Sequence, residues 1–308
     1  MPPVSQSGPV RSMHVGGGSC SDPKVAIIDV DGVLLNMDMT GLYSLGENPV
    51  ALFRERLEAA ARDPSVRAIV LRINSPGGGV TASDIMWQDL HRFKARARVP
   101  VVACFMDVGA GGAYYLAMAA DVVMAHPTTV VGGVGVILNL YNLQDAMAQF
   151  NVIGIPIKAG ENIDIGTPIV PPTPEQQQLL QDMAGEFHAR FQQIVAESRT
   201  RHDPARVEDL DGRVFTAQQA LERGLIDRVG YLDDAVETAR QMAGLARAQV
   251  VLLHRPDDRA RTPYAITPNV PLQSGLFPIS VPGFDRARLP TFLYLWQPEP
   301  TLEKMGGR

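Results

Sequence analysis

The chain has 308 residues, enough for two small domains or one α/β domain with appendages. Hydrophobic residues make up 45% and charged residues 20%, a globular composition that excludes a wholly disordered chain. The 28 basic and 33 acidic residues leave a net charge of -5, which argues against a broad nucleic-acid-binding surface.

Residues 1–23, rich in Pro, Gly and Ser, read as a disordered segment with no apolar stretch of a secretory signal. Order is expected from Lys24. Val25-Ala26-Ile27-Ile28-Asp29-Val30 is a short apolar run before Asp31-Gly32, the pattern of a buried strand and a turn. Pro49 to Ala61 has helical spacing, with Val50, Leu52, Phe53, Leu57 and Ala60 on one face. Strands are predicted at 68–73, 100–106 and 121–125, and helices at 82–95 and 114–119. Apolar strands alternating with helices predict a mainly parallel sheet covered on both faces. A short helix over 145–150 and a short strand over 155–157 precede a polar, Pro-rich loop, 159–174. Helices are then predicted at 175–199, 216–223 and 233–243, with a last strand at 249–253. The main domain is therefore placed at 24–250.

Residues 251–308 hold 9 of the 24 prolines, which marks an extended C-terminal tail. Phe277, Ile279, Val281, Phe284 and the run Phe292-Leu293-Tyr294-Leu295-Trp296 make it too apolar for a solvated linker. It would pack on its own domain, on another subunit or on a membrane surface. No run reaches the roughly 18 apolar residues of a membrane-spanning helix. The two cysteines, Cys20 and Cys104, form neither a disulfide framework nor a metal-ligand spacing, so neither metal nor cofactor is expected.

Glycines cluster at strand ends: Gly77-Gly78-Gly79, then Gly109, Gly111 and Gly112, then Gly132, Gly133 and Gly135. Glycine permits positive φ and close approach of a bound chain, and adjacent backbone N–H groups in such turns can form an oxyanion hole. Neither a dinucleotide fingerprint nor a phosphate loop occurs in the required context.

These loops carry a resemblance. Arg72-Ile73-Asn74-Ser75-Pro76-Gly77-Gly78-Gly79-Val80 resembles the signature of the signal peptide peptidase A-type serine peptidases. Asp107 to Ala117 resembles their nucleophile segment, and Asp121 to Val136 the strand and turn after it. Lys158-Ala159-Gly160-Glu161 resembles their Lys-Ser-Gly block, and Asp211 to Thr216 with Gly224-Leu225-Ile226-Asp227 their closing element. The likeness runs over roughly Lys24 to Gly244. It implies a Clp protease/crotonase-like ββα superhelix with mainly parallel sheets and flanking helices. It also implies oxyanion and groove residues at Gly77, Gly78 and Gly112, an extended peptide as ligand, a homo-oligomer, and a membrane-associated or extracytoplasmic location.

The departures fall on the catalytic dyad. Alignment on Tyr114-Tyr115 puts Gly111 at the nucleophile position, and the Lys158 block puts Ile163 at the position of the general-base lysine. Glycine cannot attack a carbonyl and isoleucine cannot accept a proton, so the resemblance implies a member that binds peptide with impaired catalysis. One alternative is an active peptidase with a relocated nucleophile, for which Ser75 and Ser83 are the candidates. Another is a crotonase-like enzyme acting on a thioester through Asp107, Glu161 or Asp164.

Overall fold

A computed structural model describes residues 8–37, 48–255 and 292–296 of the chain. Its centre is a mixed, mostly parallel sheet. Strand β1 is Arg11–Gly17 and β2 is Lys24–Leu34. The expected disorder over 1–23 is thus corrected for residues 11–17. The strand was not legible because Arg11–Gly17 carries no apolar run, and its partner lies at the other end of the domain.

Helix α1, Pro49–Arg62, starts where expected. The Asn48 side chain accepts from the backbone of Val50 and Ala51, and Pro49 occupies the first turn, where its missing N–H costs nothing. Val50, Leu52, Phe53, Leu57 and Ala60 are buried, as the spacing predicts. Arg56 is buried too, and its guanidinium donates to the Asp29 carbonyl at 2.7 Å.

Strand β3 (Val66–Gly79), helix α2 (Val80–Ala97), strand β4 (Val101–Ala110) and the short helix α3 (Gly112–Ala117) follow. Strands β5 (Val122–Ala125) and β6 (Val130–Gly132) come next, then the short helix α4 (Gln144–Gln149). Residues 155–157, expected as a strand, have no regular structure and are exposed. Helix α5, Pro174–Ser198, opens on a capping box in which Thr173 and Gln176 satisfy each other's backbone N–H. The chain continues through β7 (Val214–Thr216), α6 (Ala217–Glu222), β8 (Arg228–Val229), α7 (Leu232–Met242) and β9 (Gln249–His254). Strand β10 is Leu293–Leu295.

The sheet runs β1-β9-β2-β3-β4-β5-β8. From β9 to β8 all neighbours are parallel, and β1 adds to β9 antiparallel. Alternation along β3 splits the core: Ile69, Leu71 and Ile73 face the layer holding α1, α2, α3 and α5, while Ala68 and Val70 face α7. Burying each such aliphatic side chain contributes roughly 1.5–3 kcal/mol, which explains why these strands read as continuous apolar runs. Among the described residues, no helix is long and apolar enough to cross a membrane.

Candidate functional site

The site forms where β3 and β4 run past the body of the sheet. The β4 strand ends at Ala110 and α3 begins at Gly112, so Gly111 makes a one-residue strand-to-helix turn. Its φ of 53 and ψ of -127 form a conformation that L side chains adopt only under strain. The turn is pinned by the Gly111 N–H donating to Gly132 O at 2.9 Å and the Tyr115 N–H donating to Gly111 O at 3.0 Å. Beside it, Gly77 has φ 106. A Cβ on Gly77 would stand 2.6 Å from Gly112 N, so the two loops touch through bare backbone.

The chain's own tail fills the space above. Strand β10 pairs antiparallel with the end of β3, matching Leu293 with Gly79, Tyr294 with Gly78 and Leu295 with Gly77. The Val80 N–H donates to Phe292 O at 3.2 Å, and the Trp296 N–H donates to Pro76 O at 2.9 Å. On the other side, Leu293 and Ile137 exchange both backbone hydrogen bonds, at 2.9 and 3.0 Å. The segment is therefore a strand inserted between two edges.

Its register sets Tyr294 at the glycine cluster. The Tyr294 carbonyl oxygen occupies the space a Cβ on either Gly77 or Gly111 would need. The Tyr294 carbonyl carbon lies 2.8 Å from the position of a Cβ on Gly111. Below the strand, the Tyr294 ring is 1% exposed. It lies 5.2 Å from the Tyr115 ring and 4.7 Å from the Phe191 ring, and its hydroxyl donates to Phe187 O at 2.7 Å. Phe187 and Phe191 come from successive turns of α5, the capped helix that walls this side. A cleft of about 340 Å³ continues past the strand between Gly133, Ile137, Gln181, His188, Leu295 and Trp296.

The Tyr294 carbonyl thus lies against Gly77 and Gly111, with Gly78 paired to Tyr294 in the ladder and Gly112 N close to Gly77. The structure treats the other candidates differently. Ile163 is 74% exposed on a turn-rich segment, whereas Gly111 is buried under Tyr294. Ser75 and Ser83 are both buried, with Ser75 Oγ accepting from the Gly77 N–H at 3.1 Å and Ser83 Oγ donating to Gly79 O at 2.9 Å. Both hydroxyls shape the loop. Asp107 is exposed and accepts from the Asn74 side chain at 3.1 Å. Glu161 is exposed, and its carbonyl joins Asp164 in holding the Lys158 ammonium. That ammonium keeps the Asp164 carboxyl below its usual range, the opposite of what a general acid requires. The three carboxylates stand on two separate segments. Among the described residues, no three His, Cys, Asp or Glu side chains are grouped to hold a metal.

Two features escaped the sequence reading. The apolar character of 292–296 was evident, but not its register on β3, which depends on pairing across more than 200 residues. Asp31 is the other: burial first, then Asp29, pushes its carboxyl up to about 7 despite Arg72 and Arg56. Phe277, Ile279, Val281 and Phe284 lie outside the described residues.

An α/β fold with a mostly parallel sheet and a glycine-lined strand-to-helix turn defines the class, and the comparisons name the family. Residues 94–246 match peptidase family S49. The slr0021 protein of Synechocystis sp., which carries a protease name, is 33% identical over 219 residues, covering 71% of this chain and 77% of that one. The chloroplastic serine protease SPPA of Arabidopsis thaliana is 32% identical over 206 residues, 66% of this chain and 30% of that one. Protease 4 of Salmonella typhi is 30% identical over 222 residues, 72% of this chain and 35% of that one. Among solved structures, the S97A mutant of the 1510-N membrane-bound stomatin-specific protease aligns at 14% identity. It does so over 70% of this chain and 83% of that one, with a TM-score of 0.43. The chain belongs to peptidase family S49 and resembles its signal peptide peptidases.

Proposed function

We propose that this chain is an S49 member that binds extended peptide in a Clp protease/crotonase-like cleft without cleaving it. The observation that carries the reading is Gly111. Its backbone keeps the sharp strand-to-helix turn that exposes a nucleophile, with φ 53 and ψ -127, and it has no side chain to attack with. Ile163, at the position of the base, has no proton-accepting atom. A dyad works as a unit, so both changes together remove the covalent route.

The binding apparatus supports the other half of the reading. Gly77, Gly78 and Gly112 are the proposed oxyanion and groove residues; the Tyr294 carbonyl lies against Gly77, and Tyr294 pairs with Gly78. Added-strand recognition needs main-chain hydrogen bonds and no catalytic side chain. The Ser75 and Ser83 hydroxyls are committed to the loop, which weighs against a relocated nucleophile. The separation of Asp107 from Glu161 and Asp164 weighs against crotonase-type acid–base chemistry. In solution, copies of this chain are proposed to associate, as the resemblance implies.

The test is hydrolysis of a library of extended peptides by purified protein, read by mass spectrometry. No product above the level of buffer alone is expected. Cleavage abolished by a single substitution in the cleft overturns the reading.

A further inference from the structure

The aromatic pocket under the groove has a hydrogen-bonding specificity that peptide binding alone does not require. Tyr294 is the only residue of Phe292–Trp296 that carries a hydroxyl, and that hydroxyl is satisfied at 2.7 Å by Phe187 O. Its ring stacks on Tyr115 with an interplanar angle of 23° and tilts at 50° to Phe191. A pocket that is apolar along its walls and ends in a carbonyl acceptor favours a ring with a terminal hydroxyl. The carbonyl of the same residue sits at Gly77 and Gly111, in volume that any side chain at position 111 would occupy. Absence of a side chain at 111 and occupancy by Tyr294 are therefore one structural fact.

Backbone bonds hold the strand on both edges. Val80 is the first residue of α2, whose N–H has no partner within its own helix, and Phe292 O supplies one. Ile137 is bonded in both directions by Leu293. The groove is therefore complete only with this segment in it.

We infer that the groove is a tyrosine-selective peptide site, and that Phe292–Trp296 is its resident ligand, which an external peptide must displace. The inference rests on the peptide-groove reading above and adds to it the side chain selected and the competitor. The external ligand is an extended segment carrying tyrosine between aliphatic residues.

The test uses the full chain, as wild type, Tyr294→Ala and Trp296→Pro. The last removes the N–H that bonds Pro76 O, together with the indole at the cleft wall, and leaves the Tyr294 ring in place, so it keeps the experiment informative if loss of the buried ring impairs folding. Amide hydrogen exchange is read at Val80 and Ile137, both expected to be protected in wild type and to exchange roughly tenfold faster or more in either variant. Dye-labelled Phe-Leu-Tyr-Leu-Trp is then titrated, together with the same peptide carrying Ala for Tyr. The variants are expected to bind the tyrosine peptide at least roughly tenfold more tightly than wild type does, and the alanine peptide correspondingly more weakly. Unchanged exchange in both variants overturns the resident ligand and leaves the peptide-groove reading standing. Equal binding of the two peptides overturns the tyrosine selectivity. Fast exchange with no binding of either peptide overturns the groove reading itself and the inference with it.

Discussion

At Gly111 two constraints act on one residue. Its positive φ disfavours any side chain, and a Cβ there would stand 2.9 Å from Pro76 O and meet the Tyr294 carbonyl as well. Conformational strain of this kind costs on the order of 1–3 kcal/mol. Gly111→Ala is expected to lower the melting temperature by several degrees and to release the strand above it, checked by calorimetry together with exchange at Val80. A variant as stable as wild type with Val80 still protected would show that the close approach is absent. Asp31 gives a second prediction at this scale. Its folded-state pKa of about 7 exceeds the ordinary 3.8, so the folded state holds the proton more tightly. Stability is therefore fullest below pH 3.8 and is lost as pH rises toward about 7. Asp31→Asn removes that loss, and thermal melts should show it more stable than wild type at about pH 8 but not at about pH 4. An identical pH profile in the two proteins would contradict the assignment. Gly111 was legible in the sequence because a neighbouring tyrosine pair fixes its alignment. Asp31 was not, because its shift comes first from burial in the assembled fold and then from Asp29, against two arginines brought in from α1 and β3.

Elements were legible where one strand or helix carries its own signal. The four apolar strands β2 to β5 and the capped helices α1 and α5 stand close to where their patterns place them. Pairing partners far along the chain were not legible. Strand β1 exists because β9 offers an edge, and β10 because β3 does. Residues 155–157 show the converse: β-branched Ile155 and Ile157 read as a strand, yet they are among the most exposed hydrophobics of the described chain. Phe150, Val152 and Ile153 nearby are exposed as well. Under the proposed association of copies, this segment is where contact between them would exclude the most apolar surface from water. Light scattering on Ile155→Asp with Ile157→Asp is expected to give a smaller species than wild type. Equal masses, or a monomeric wild type, would remove the basis for that association.

Across the whole molecule, the sheet supplies position and the glycine loops supply bare backbone. The parallel strands end together on one side, so β3 and β4 carry Gly77, Gly78, Gly111 and Gly112 to one point. The motifs made that convergence legible before the structure, since each loop follows an apolar strand. They could not reveal that the apolar C-terminal run, which had three possible destinations, enters the same point. The proposed function joins these facts: a cleft of the S49 type that holds a strand and lacks the group to attack it. The most direct measurement is labelling of the folded wild type by a serine-directed fluorophosphonate, with a catalytically active S49 peptidase labelled in parallel. The account predicts label on the active peptidase and none on this chain. Label on the wild type, mapped to Ser75, Ser83 or any other serine of the cleft, would contradict it.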